Sequence, residues 1–288
     1  MNKCLSWCLL SGCLVLSITT ASGSGPADPK PAVAAKPDSV LLQVMEAELS
    51  RAMSSLGTSA PADPKSKSQP QPKPYFMSYE VSDSDSISLS AQFGALSGDS
   101  ENRHRSADIQ VRLGSEAEDN THGTHRPSAL TTMPLPLSDD REALARSLWY
   151  ATNRGYGRAL DSFLQVKTEQ QVRAKEEDSS ADFSKETPAT ALVPIDPKFA
   201  PGAPLMKDKP EWESRLRELS GLFKQFPDVF YNTVNLQASE EVDYFVSSDG
   251  ARVSTPSHVA RLVIVARSRA DDGMDLYRVE TFESDELG

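Results

Sequence analysis

Two imidazoles three residues apart, His122 and His125 in Thr-His-Gly-Thr-His, are the side chains in this chain best placed by type and spacing to do chemistry. Such a pair holds zinc when its loop is ordered and a third ligand joins, and Asp119 or Glu118 is the nearest donor in sequence. Structural zinc takes four ligands, however, and histidines beside Gly123 and Pro127 read as a solvated loop, so no metal is expected there. Arg103, Arg105 and Arg112 around His104, in NRHRSADIQVRLG, form a second candidate, because guanidinium forks receive phosphate or carboxylate. In a chain of formal charge −11 these arginines have acids of their own to meet, which predicts a charged loop and strand edge instead.

Little else has catalytic character. His258 completes a set of four histidines, and no HExxH or HExxxH helix, GxSxG elbow or GxxxxGK[ST] loop occurs. Asp139-Asp140 and Glu176-Glu177-Asp178 stand where helix caps and solvated termini are expected. The expectation is therefore no catalytic, cofactor-binding or metal-ligating residue, and no cofactor.

The elements that would position these residues begin after a leader. Lys3 is followed by an uncharged apolar run over residues 4–20 and then by small residues and proline, the pattern of a signal peptide over residues 1–23. The run is short for a membrane span. Leu10 to Cys13, LSGC, resembles the lipobox of bacterial lipoproteins, so lipidation at Cys13 or an uncleaved leader are the two routes to a membrane. All three cysteines, Cys4, Cys8 and Cys13, lie in this segment, so ordinary cleavage leaves a chain without thiols. The acidic charge, with no basic stripe among aromatics, argues against nucleic acid as a partner.

Residues 24–74 read as a Pro/Ala/Ser-rich tether containing one amphipathic helix at 38–56, with Asp38 as N-cap, Leu41, Val44, Met45, Leu49 and Met53 as its stripe, and Gly57 closing it. Residues 75–288 read as one α+β domain. Three strands, YFMSYEV, SISLSAQFG and SADIQVRLG, are separated by the turn-like SDSD and LSGDSENRHR. A helix capped by Asp139 or Asp140 carries Leu144, Leu148, Ala151, Tyr156, Ala159, Leu160, Phe163 and Val166, and Gly155 and Gly157 inside it predict close packing on a sheet. Another starts at Pro210, lines up Trp212, Leu216, Leu219, Phe223 and Phe226, and stops at Pro227. The rest is β, with Asp249-Gly250 as a tight primed hairpin turn. The predicted class is α+β: a largely antiparallel sheet with helices packed on one face, built of two similar helix-plus-meander halves.

YFMSYEVSDSDSISLSAQFGAL, ADIQVRLG, LPLSDDREALARSLWYATNRGYGRALDSFLQVK, DFSKE, WESRLRELSGLFKQFPDV and YFVSSDGARVSTPSHVARLVIVARSRADDGMDL together resemble the N-terminal region of the TldD/PmbA family, also described as modulators of DNA gyrase, and most of all its exported branch. The likeness runs over about residues 41–282. In that family the TldD-type subunit is a zinc metallopeptidase with ligands in and after an HExxxH motif, and the PmbA-type partner lacks the motif and pairs with it. The resemblance implies an N-terminal region that helps shape a peptide channel and a dimer, ahead of a C-terminal domain that holds the metal. No histidine here lies in HExxxH, so no catalytic residue carries over.

The expected function is an exported, non-catalytic recognition or scaffold domain of a bacterial periplasm or envelope, pairing with a TldD/PmbA-like subunit or taking extended peptides on a sheet edge near residues 276–282. Two alternatives stand beside it: the N-terminal fragment of a split or truncated zinc metallopeptidase, and a structural envelope protein without peptidase connection.

Overall fold

The computed structural model describes residues 39–57, 71–123, 127–170, 180–185, 187–206 and 208–285. Asp38, His125, Glu176, Glu177, Asp178 and the segment 1–23 lie outside the described residues. Helix α1 (Val40–Ser55) is capped by Ser39, whose Oγ accepts from the Leu42 amide at 3.1 Å. Its Leu41, Val44, Met45 and Leu49 are buried against the sheet and the long helix that follows, so α1 is part of the folded body.

Strands β1 (Pro74–Gln92) and β2 (Ala95–Leu113) are 19 residues each, roughly 60 Å at about 3.3 Å per residue. The expected turns at SDSD and LSGDSENRHR do not form: both stretches are strand. Asp83 and Asp85 face inward opposite Arg105 and Arg103, and this cross-strand pairing lets acids that read locally as turn residues stay in a ladder. The chain reverses instead at Phe93-Gly94, where both φ values are positive (45° and 81°) as a primed two-residue turn requires. Asn232 accepts from the Phe93 amide and Ser220 Oγ from the Gly94 amide, at 3.2 and 3.0 Å, which anchors that turn to neighbouring elements.

Short β3 (Leu130–Pro134) pairs with β2, and α2 (Arg141–Gln170) then crosses both. Asp140 caps it, accepting from the Ala143 amide at 2.7 Å. Its buried face is the expected one, and Tyr79 of β1 meets Thr152 at 2.7 Å beneath it. Gly155 lies within 3.4 Å of Val111, measured from where a Cβ would stand, so it does mark close packing; Gly157 faces open space and does not.

After a three-residue strand β4 (Thr190–Leu192), helix α3 (Lys209–Gly221) buries Leu216 and partly Trp212 and Leu219. It gives way to a 3-10 turn over Leu222–Gln225, so Phe226, expected on the buried stripe, is left 58% exposed. Strands β5 (Val229–Ser247), β6 (Arg252–Arg269) and β7 (Asp275–Ser284) complete the sheet. The β5–β6 reversal falls at Asp249-Gly250, but only Gly250 has positive φ. Ser247 and Ala251 close it at 3.1 Å around a three-residue loop, the longer hairpin with a left-handed glycine rather than the two-residue one expected.

The sheet order is β3-β2-β1-β5-β6-β4, with β7 also on β6; β4 is parallel to β6 and every other pairing is antiparallel. Helix, hairpin and third strand recur on either side of the β1–β5 seam: α1-β1-β2-β3, then α3-β5-β6-β7. All three helices pack on one face, where the long strands carry two hydrophobic cores. One gathers Met77, Tyr79, Val81, Ile109 and Tyr244 under α1 and α2; the other gathers Ile87, Leu89, Val234 and Leu236 under α3. No described helix is long and apolar enough to cross a membrane.

Candidate functional site

Three places bring polar or apolar groups together in ways a ligand or partner could use. The first is the loop that holds His122. Asp119, fully buried, uses one carboxylate oxygen to accept from the Thr121 amide and hydroxyl, both at 2.7 Å, and the other to accept from Tyr75 at 2.8 Å and Arg112 at 2.5 Å. Burial works to raise this carboxyl, and the hydrogen bonds from Thr121, Arg112 and Tyr75 outweigh it and hold it below its ordinary value. Both oxygens are thereby occupied, so Asp119 has no lone pair left to turn toward zinc. His122 Nδ1 donates to Asp182 at 2.8 Å, and the same Asp182 oxygen accepts from the Asp119 amide. Phe183 beside it packs against the tilted Phe76 ring and under the Arg112 guanidinium. These contacts sew segment 180–185 onto the sheet end. Among the described residues no group of three or more potential ligands converges.

The second place lies between the two cores. Arg103, Asp85, Glu240 and His258 occupy directly opposed positions on β2, β1, β5 and β6, and Arg105 opposes Asp83 one step along. Arg105, only 3% exposed, hydrogen-bonds Asp83, sits 3.0 Å from Asp139, and donates to the carbonyls of Pro136 and Ser138. Arg103 lies 3.8 Å from Asp85. A strap over residues 196–206 covers this belt: the Gly202 amide donates to Asp85, Pro201 accepts from Arg103, and the Phe199 ring stacks on His258 with centroids 4.0 Å apart. Glu240 is 4% exposed, and its Oε2 meets no hydrogen-bond partner among the described residues. Burial, and then the Asp85 charge, push its carboxyl up to about 7. The arginines that sequence offered as an anion receptor are thus met by internal acids, as expected, but within a continuous strand and with Arg105 buried, not on the charged loop and strand edge that was expected.

The third place is the far flank of the sheet. Every residue of β7 is exposed, although the strand carries Leu276, Tyr277, Val279 and Phe282, and β6 is the neighbour it packs against. Among the described residues no strand pairs with its other edge. The opposite edge is managed differently: β3 is five residues long, ends in Pro134 and lies under α2. The outer face changes along the sheet as well. On β1 it presents Ser82, Ser84, Ser86, Ser88 and Ser90, whereas on β6 and β7 it presents Val263, Val265, Tyr277 and Val279 beside Tyr231 of β5. A long, uncovered edge with four exposed large apolar side chains is the feature of this fold most suited to receiving another chain.

No family model matches this chain, and no curated protein matches it. Among solved structures it is similar to TldE from Thermococcus kodakarensis, with 13% identity and a TM-score of 0.45 over 74% of this chain and 41% of that one. A protein of Bacteroides thetaiotaomicron described as a modulator of DNA gyrase matches with 14% identity and a TM-score of 0.45, over 84% and 44%. One so described from Thermotoga maritima matches with 15% identity and a TM-score of 0.38, over 72% and 38%. The chain spans about two fifths of the length of these structures.

The buried belt is hidden from local sequence reasoning because SDSD has the composition of a turn. A partial signal was present: Asp-Ser-Asp at 83–85 and Arg-His-Arg at 103–105 are complementary in charge at nearly equal distances from Phe93-Gly94, and the one-residue register shift at Ser90/Ala91 brings Asp83 opposite Arg105 and Asp85 opposite Arg103. The edge near residues 276–282 was named from sequence, but the breadth of its apolar outer face was not.

Proposed function

We propose that this chain is a non-catalytic recognition scaffold that binds an extended chain segment by adding it as a strand to the free edge of β7. The observation that supports the reading is the exposure of all ten residues of an edge strand that carries Leu276, Tyr277, Val279 and Phe282 among its charged residues. Main-chain hydrogen bonds give such an addition affinity without sequence specificity, while alternate side chains supply selectivity. Covering the exposed Leu276, Tyr277, Val279 and Phe282 contributes on the order of 1 kcal/mol each. Occupants within this reading are an extended peptide or the strand of another subunit, including the TldD/PmbA-like partner that the sequence resemblance implies. Export to a bacterial envelope belongs to the same proposal and rests on the leader pattern of residues 1–23.

The test is amide hydrogen exchange of the full chain, with and without a pool of ten-residue peptides alternating Val or Tyr with Ser or Lys. Slowed exchange confined to residues 275–284 is expected. Slowing elsewhere in the chain, or none anywhere, overturns the reading.

A further inference from the structure

Which chain takes the β7 edge follows from the strand itself. Two identical strands paired antiparallel about a two-fold axis must place one residue opposite its own copy, because opposed pairs alternate in type along the ladder and the axis must pass through a pair. Candidate registers are therefore few. Centring on Arg278 sets arginine against arginine, centring on Glu280 sets glutamate against glutamate, and centring on Thr281 sets Glu280 against Phe282. Centring on Val279 sets Val279 against itself, Arg278 against Glu280 twice, Leu276 against Phe282 twice and Tyr277 against Thr281 twice.

We infer that the occupant of β7 is β7 of a second copy of this chain, paired antiparallel about a two-fold axis at Val279 with residues 275–283 in register. The inference rests on the edge-addition reading above and names its partner. In this register each side chain meets one on its own face: Arg278 an opposite charge, Leu276 an apolar Phe282, and Val279 its own copy. Val279, Tyr277 and Thr281 continue the outer apolar stripe begun by Val263 and Val265, and Leu276, Phe282, Arg278 and Glu280 lie on the helix-bearing face. The one like-charge opposition, Asp275 with Glu283 of the second copy, is offset within each chain, since Asp275 lies 3.0 Å from Arg269 and Glu283 lies 2.7 Å from Arg261. Arg278 and Glu280 already pair at 2.6 Å, so two copies form a neutral cluster of four charges across the axis.

Charge distribution over the molecule points the same way. The chain carries −11 overall, which opposes self-association, yet the paired segments 260–269 and 275–284 hold four arginines against three acids. The flank is the part of an acidic protein on which a second acidic copy can settle. Asp271, Asp272 and Asp285 at the strand ends still repel, and added salt screens them.

Sedimentation equilibrium of the full chain decides it. The wild-type chain is expected to dimerise, more tightly at higher salt. Arg278→Glu and Glu280→Arg each place like charges opposite twice and weaken the dimer by about tenfold or more, and the double variant R278E/E280R restores it. Both side chains are on an exposed strand, so circular dichroism should show all three variants folded. Association that persists unchanged in R278E, as contact through the apolar run at residues 4–20 would, overturns the inference, and so does a double variant no tighter than the singles. A wild-type chain that stays monomeric to hundred-micromolar concentration also overturns it. If that monomer still shows peptide-induced protection of β7, edge addition stands and only the second copy falls; if it does not, both fall.

Discussion

Glu240 shows how a single residue couples this fold to pH. Its carboxyl is raised from 4.5 to about 7 by burial and by Asp85, so the folded state holds that proton more tightly than the unfolded chain does. Stability on its account is fully present below pH 4.5, declines as pH rises from there to about 7, and is constant beyond. The groups that face it are Asp83 and Asp85 on β1, Arg103 and Arg105 on β2, and His258 on β6. Glu240→Gln removes the ionisation, so it should raise unfolding free energy by about 1–3 kcal/mol at pH 8 and by almost nothing at pH 4.5. Denaturant melts at the two pH values check this. An equal effect at both would mean that Gln acts through packing alone. Asp119, held low, works in the opposite sense: its contribution is present above its unfolded value and is lost as pH falls through its folded one.

Among the elements, α2 offers the sharpest contrast. Gly155 and Gly157 are two residues apart on one helix, yet one faces Val111 and Thr131 and the other faces open space. Gly157→Ala should therefore stabilise the chain by about 1 kcal/mol through helix propensity. Gly155→Leu should destabilise it by about 1–3 kcal/mol by overpacking β2. Thermal melts of the two variants moving in the same direction would refute this placement of α2. The helices were legible because their apolar residues repeat every three or four positions within one segment. α3 was read too long, since its Phe226 keeps the spacing while the chain has already tightened into a 3-10 turn.

Across the whole molecule, one sheet carries two cores divided by a belt of charge. The first is sealed by two helices, α1 and α2, and the second by α3 with Leu205 and Met206 of the strap. Separate cores on shared strands open separately, and the more thinly covered one opens first. Native-state hydrogen exchange should thus find lower opening free energies for α3 and residues 229–239 than for α1, α2 and residues 240–247. Identical values would mean that the belt transmits cooperativity instead of dividing it. The helix layer stops before β7, and this leaves the flank on which both the recognition proposal and the dimer rest.

By itself the sequence determined the class, the positions of the helices, the site of the β5–β6 reversal and the strand near residues 276–282. Each of these is encoded in neighbouring residues, by helical repeat, turn composition or strand alternation. It also foretold that the arginines near His104 would be met by the chain's own acids, though not by which. Only the tertiary structure decided that SDSD is strand, that Asp119 spends its oxygens on Tyr75, Arg112 and Thr121, and that Glu240 is buried beside Asp85. A charged residue reads as exposed until its partner is known, and the deciding partners lie far along the chain: Tyr75 is 44 residues from Asp119, and Asp85 opposes Glu240 across the β1–β5 seam. The bare flank was beyond local reading for the same reason. Whether a strand is covered depends on where the helix layer ends, and that is a property of the assembled sheet.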